Sequence, residues 1–153
     1  MKIKIPSKKS MLEKEEFEVK IFYDELDKYY TINAYSPRGE VACYATIKPQ
    51  YSPRQMWLNK IETKQGYQHK GYATAVLKVV EYLTHNLRYN WIEGKYYPEN
   101  EHAKPFYDKH GYTIYKDDYE TFVTKTLDYD EIKQDIEPNI TGYRIEPQQE
   151  LER

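Results

Sequence analysis

The sequence predicts a mixed α/β (α+β) fold, in which an antiparallel meander leads into a strand–loop–helix–strand–helix–strand unit. Three observations carry this expectation. Two-residue alternation of apolar and polar side chains recurs from Phe17 to Ile47. A long stretch from Tyr72 to Leu87 repeats at helical spacing behind a loop bearing two glycines. Two further alternating runs follow a second, shorter helical pattern near residue 105.

Taken in order, residues 1–16 run from basic (Lys2, Lys4, Lys8, Lys9) to acidic (Glu13, Glu15, Glu16), with room for one helical turn at Ser10–Glu16. Phe17, Val19, Ile21 and Tyr23 share one face of a strand, which Asp24–Asp27 ends. Tyr29–Tyr35 and Val41–Ile47 are the next strands, separated by the turn Ser36-Pro37-Arg38-Gly39. Pro49 and Pro53 make Lys48–Gln55 a predicted loop, and Met56–Thr63 alternates again. In the long helix Tyr72, Val76, Val79, Val80, Leu83 and Leu87 form the apolar stripe, and Lys78, Glu81, His85 and Arg88 the wet one. A strand from Trp91 to about Tyr97 ends at Pro98. Asn100–His110 is a short helix whose start near Ala103 puts Pro105 in the first turn and Gly111 at the left-handed position after its end. Tyr112–Tyr115 and Glu120–Thr126 are strands joined by the acidic turn Lys116-Asp117-Asp118. Beyond Asp128 the apolar residues are scattered; a strand or turn is expected around Tyr143–Ile145, and 147–153 is expected to be mobile. The whole chain, 1–153, reads as a single domain with 1–16 and 128–153 peripheral and one crossover helix on each side of the sheet.

Composition narrows the function. Lys and Arg total 23 against 25 Asp and Glu, a net charge of −2, so no electrostatic bias toward nucleic acid or membrane is expected. The 18 tyrosines suit strands and half-buried surfaces better than a base-stacking platform. Cys43 is the one cysteine, in the apolar run Val41–Ala45, which makes it a buried structural thiol and excludes an internal disulfide. No apolar run reaches membrane-spanning length and the N-terminus has no signal-peptide core, so a cytoplasmic location is expected. His69, His85, His102 and His110 lack ligand-type spacing, and no metal is expected.

The loop before the long helix, Gln68-His69-Lys70-Gly71-Tyr72-Ala73, is where chemistry is expected. A tight turn into a helix start presents backbone N–H groups together with the positive end of the helix dipole, a site for phosphate. It is not a Walker A loop, because Tyr72 and Ala73 follow Gly71 where Lys and Ser or Thr are needed. It also lacks the three glycines of a dinucleotide fingerprint. The remaining pattern, Gln68-x-x-Gly71-x-Ala73, resembles the acetyl-CoA pyrophosphate loop of the GNAT N-acetyltransferase superfamily. About thirty residues later Asn100-x-x-Ala103-x-x-Phe106-Tyr107-x-x-x-Gly111-Tyr112 resembles that superfamily's second signature. Together the resemblances cover roughly Met56 to Thr126.

The resemblance implies acetyl transfer from acetyl-CoA, as cosubstrate, to a primary amine by direct attack. Two central parallel strands would splay to admit the pantetheine arm, with Ile61 and Thr63 at the strand end beside the thioester. Gln68, His69, Lys70, Gly71, Tyr72 and Ala73 would hold the pyrophosphate, Thr74 would add a hydroxyl, and Asn100 would touch the pantetheine or cap the next helix. Tyr107 occupies the position of the general acid that protonates the leaving thiolate. Glu62 is the first candidate base and Glu93 the second. The two helices that family members place after the first strand have no room at Asp24–Asp27, so the acceptor side is expected from Pro49–Gln55 or the acidic tail. The acceptor amine itself is unidentified, and a homodimer is compatible with the pattern. Two rival readings are a non-catalytic acyl-CoA-binding regulatory module and a Tyr-rich interaction protein.

Overall fold

The structure is a computed structural model and describes residues 1–7 and 12–148. Expectations for Lys8, Lys9, Ser10 and 149–153 lie outside the described residues. One ten-stranded sheet runs through the molecule in the order β7-β8-β6-β5-β4-β3-β2-β1-β9, with β10 on β2. The meander is β1 (Lys2–Pro6), β2 (Lys14–Asp24), β3 (Tyr29–Tyr35), β4 (Val41–Tyr51) and β5 (Arg54–Thr63), each antiparallel to the one before. Its alternation is as expected: Phe17, Val19 and Ile21 are buried, as are Tyr30, Ile32 and Ala34. From Lys14 on the chain is strand, not the helical turn expected at Ser10–Glu16, because the register Ile5↔Glu15 pairs that stretch with β1.

The expected loop Lys48–Gln55 is instead the end of a hairpin, with only Ser52 and Pro53 between β4 and β5. Pro53 sits in the two-residue turn, and Pro49 is tolerated because β3 pairs with β4 only as far as Ile47. Beyond that point β4 has an unpaired edge, where a missing N–H costs no ladder bond.

Helix α1 (Tyr72–Asn86) crosses from β5 to β6 (Trp91–Tyr96), which lie parallel. Helix α2 (Ala103–Lys109) leads into β7 (Thr113–Lys116) and β8 (Thr121–Thr126). Its end has the expected left-handed geometry: Gly111 has φ 82°, Tyr112 N–H bonds Tyr107 carbonyl at 3.0 Å, and Gly111 N–H bonds Asp108 carbonyl at 3.2 Å. The two helices do not flank the sheet on opposite sides. Thr74 of α1 meets His110 at 3.1 Å and Glu81 of α1 meets Tyr112 at 2.8 Å, so both helical segments share one face. Among the described residues no helix covers the other face.

Residues 128–148 are not peripheral. Asp128 accepts hydrogen bonds from Asp130 and Glu131 N–H and starts α3 (Tyr129–Glu131), which continues through π-helical Ile132–Ile136 and a 3-10 turn at Glu137–Asn139. This strap buries Ile132 and Ile136 and crosses α1 to reach β9 (Ile140–Thr141) and β10 (Ile145–Pro147), which pair with β1 and β2. The expected strand near Ile145 is therefore present, and Pro147 is part of it. Ile3 and Ile5 at the other terminus are also core residues.

With the strap on one side and the sheet on the other, α1 is covered nearly all round. Glu81, expected on the wet stripe, is 1% exposed. Its carboxylate lies 3.2 Å from Lys125 Nζ, itself 8% exposed, and accepts from Tyr112 hydroxyl at 2.8 Å. Lys125 also donates to the His110 carbonyl at 2.8 Å. Desolvation pushes the Glu81 carboxyl above its ordinary pKa, while Lys125 and Lys78 pull it down.

Candidate active site

The site grows from an interruption in the sheet. Strands β5 and β6 pair at only three positions, Met56↔Ile92, Trp57↔Glu93 and Leu58↔Gly94. Beyond them the two strands part into a wedge. Its vertex requires a glycine: a Cβ on Gly94 would lie 2.6 Å from the Leu58 carbonyl oxygen. On the other side of β5 the register slips, with Thr46↔Lys60 followed by Ile47↔Leu58, so Asn59 is an extra bulged residue just past the vertex. The edge of β5 from Asn59 to Thr63 thus faces the wedge without a β6 partner. Gly94 and this bulge escaped the sequence reading. A glycine inside a strand pattern was the available signal.

Ile61 and Thr63 are half-buried and pair with Ala45 and Cys43, which places them on the helical side of β5. Cys43 is buried, and desolvation raises its thiol to about 11, as suits a structural thiol. Glu62 points the other way. It is half-exposed, 2.9 Å from Lys60 Nζ, and accepts from Tyr44 hydroxyl at 3.2 Å. The bond from Lys60 leads in lowering its pKa, which makes Glu62 a weak base.

The loop ahead of α1 is wound tightly. Gly66, His69 and Gly71 take φ of 91°, 62° and 93°, and Gln68 Oε1 accepts from Gly66 N–H at 2.9 Å. Such winding turns successive backbone N–H groups to one side. Gly71 caps α1 with no side-chain hydrogen bond, so the first-turn N–H groups of Tyr72, Ala73 and Thr74 have no cap. Gly71 is needed twice: for its positive φ, and because a Cβ would press on Phe17 at 3.1 Å and Ile5 at 3.3 Å. Lys70 and Tyr72 line a cleft of about 1040 Å³ between this loop and strands β1–β3. That cleft flanks the loop and lies away from the vertex.

Helix α2 closes the helical side. Asn100 Oδ1 accepts from His102 N–H at 3.2 Å, so Asn100 caps the turn that starts the helix. The His102 ring meets His69 at 5.5 Å, and His110 Nε2 meets Thr74 Oγ1 at 3.1 Å. His110 ends the helix without a charge. Burial first, then Lys78, Lys109 and Lys125, lower its pKa to about 4, and it is neutral. Tyr107, 6% exposed, packs between Tyr96 of β6 (6.4 Å between ring centres) and Tyr112 (5.5 Å). Burial, then Tyr96, raises its phenol to about 12.

The structure thus brings Ile61, Thr63, the loop 66–74 and Tyr107 to one side of the wedge, and puts Glu62 and Glu93 on the other. The supposed acceptor elements are elsewhere. The Pro49–Gln55 hairpin lies at the closed end of the β5–β6 pair, while Asp128 caps a helix and Glu131 pairs with Lys78 at 3.1 Å. Among the described residues no group of three or more His, Cys, Asp and Glu side chains could hold a metal ion, and no helix is long and apolar enough to cross a membrane.

A splayed parallel pair beside a phosphate-type loop defines a class, the acyl-CoA transferases of the GNAT fold. Residues 3–112 match the family model described as the acetyltransferase (GNAT) family. The chain belongs to that family. Solved structures agree on the fold. The GNAT domain of S. lividans PAT superposes with a TM-score of 0.65 at 11% identity, over 82% of this chain and 97% of that one. A GNAT family acetyltransferase from Elizabethkingia anophelis with acetyl-CoA bound gives 0.58 at 16% identity, over 67% and 78%. The PaiA N-acetyltransferase of Thermoplasma acidophilum, in complex with coenzyme A, gives 0.59 at 16%, over 65% and 62%. A search of curated proteins returns no match.

Proposed function

We propose that the protein transfers an acetyl group from acetyl-CoA to a primary amine by direct attack in a ternary complex. The observation that carries this reading is the wedge past Leu58 and Gly94, bounded on its helical side by an uncapped helix start and by Tyr107. The pyrophosphate would rest on the N–H groups of the loop and of Tyr72–Thr74. The pantetheine would run along the unpartnered edge of β5, and its thioester would reach the bulge at Asn59, where backbone N–H groups can receive the oxyanion.

The neutral amine attacks the carbonyl carbon, a tetrahedral oxyanion forms, the nitrogen sheds its extra proton to water, and collapse breaks the C–S bond; Tyr107 regains from water the proton it gives up. The Tyr107 phenol gives its proton to the departing thiolate. A phenol at about 12 is protonated at every physiological pH and is therefore always in its acid form. Glu62 has no part in this account, because Lys60 already occupies its carboxylate.

An assay of free thiol release from acetyl-CoA across an amine panel tests the reading. Turnover with at least one amine is expected. A rise in melting temperature on adding acetyl-CoA, without thiol release for any amine, would instead support the non-catalytic acyl-CoA-binding module.

A further inference from the structure

The face of the sheet opposite the helices is uncovered among the described residues, and at the wedge vertex it carries a specific set of side chains. Trp57 and Glu93 are register partners one step before the vertex. Phe122 of β8 lies against Trp57, ring centres 6.5 Å apart, and stacks on Tyr115 at 5.4 Å with 27° between planes. Tyr115, 39% exposed, donates its hydroxyl to Glu93 at 2.6 Å. Glu93 is half-buried and has no cationic partner among the described residues, whereas its neighbours Lys95 and Lys60 are paired with Glu120 at 3.2 Å and Glu62 at 2.9 Å.

From this we infer that the acceptor is a monocationic amine on a flat aromatic body, held with its ammonium at Glu93 and its ring on Trp57 and Phe122; the bound ammonium releases its proton to water on this open face before the neutral amine attacks. The inference rests on the acetyltransferase reading for what happens to the amine, and on geometry for where it binds. With the helical side closed by α1 and α2, an acceptor reaches a thioester at the vertex from the open face. A carboxylate lacking a counter-ion beside three aromatic rings suits one positive charge joined to a π surface. Lys60 and Lys95 are already neutralised by Glu62 and Glu120, so Glu93 offers one unpaired negative charge. A polyamine or aminoglycoside would bring several charges to a site that offers one.

Two measurements test this. In thiol release at saturating acetyl-CoA, phenethylamine or tryptamine should exceed spermidine, an aminoglycoside and a lysine peptide by tenfold or more in kcat/KM. Glu93→Gln should raise KM for the aryl amine about 10- to 100-fold and leave the acetyl-CoA Kd unchanged. Tyr115→Phe, which only frees the Glu93 carboxylate to move, should raise KM severalfold with kcat unchanged. Without acetyl-CoA, phenethylamine should quench tryptophan fluorescence saturably, and Trp57→Phe should abolish the saturable part while Trp91 still emits. Preference for spermidine or peptide, an unchanged KM in Glu93→Gln of normal far-UV circular dichroism, or saturable quenching retained in Trp57→Phe would each overturn the assignment. Aryl-amine binding without thiol release would sink the acetyltransferase reading and leave the binding site standing.

Discussion

At the scale of single residues, the chemistry and the stability of this protein meet in one buried group of side chains. Glu81, Lys125 and Tyr112 bind one another where α1, β8 and the end of α2 converge, and Tyr112 packs against Tyr107. Replacing one member strands the other's charge, so Lys125→Met alone should cost about 3–5 kcal/mol. Glu81→Leu with Lys125→Met should recover most of that loss, as urea unfolding of the two singles and the double would reveal. On the proposed mechanism Tyr107→Phe removes the proton donor; kcat should fall by about 10²-fold with an unchanged acetyl-CoA Kd. His110 makes stability pH-dependent. Its folded pKa of about 4 lies below the ordinary 6.5, so the unfolded chain binds the proton first. Its contribution is complete above pH 6.5 and is lost as pH falls from 6.5 to 4. The difference in stability between wild type and His110→Gln should therefore shrink across that window. Glu81 acts in the opposite sense, its raised pKa favouring the folded state at low pH, and the comparison of the two proteins cancels it.

At the scale of elements, the sequence reading was accurate where period and partner agreed. Strands β2 and β3 show one clean period each and their buried residues follow it, while helix α1 keeps its apolar stripe and also buries Glu81 and Thr84. The strap from Tyr129 to Asn139 was missed because it changes from α to π to 3-10 geometry within eleven residues, and no single period marks its two buried isoleucines. Each is packed between the strap and the body of the molecule, so Ile132→Ala and Ile136→Ala should each cost about 2–5 kcal/mol in denaturant unfolding. Lys48–Gln55 reads as a loop in the sequence because proline argues against strand. Its tolerance depends on where β3 stops pairing, which no local window contains. At the vertex, Gly94→Ala places a Cβ 2.6 Å from the Leu58 carbonyl oxygen, a distance the backbone cannot accept. The strands must separate, and the expected result is loss of thiol release together with a lower melting temperature.

At the scale of the whole molecule, the layers decide which side each reactant uses. Helices and strap fill one face, and among the described residues the other is open around the wedge. Cosubstrate binding to the folded form alone should stabilise it by about 2.7 kcal/mol at a hundredfold excess over Kd. For a chain of this size that is a rise in melting temperature of roughly 5–10 °C with acetyl-CoA, measurable by scanning calorimetry.

The sequence by itself determined the fold class and the family. Loop glycines, helix caps and strand alternation are local and obey short-range sterics and hydrophobic periodicity. Only the tertiary structure decided that α1 and α2 share a face, that Glu81 is buried, that Glu62 is neutralised by Lys60, and that Glu93 stands beside three aromatic rings without a cation among the described residues. Each depends on which distant strand or strap comes to lie alongside. Burial and charge pairing are set by neighbours in space, and no spacing along the chain records them.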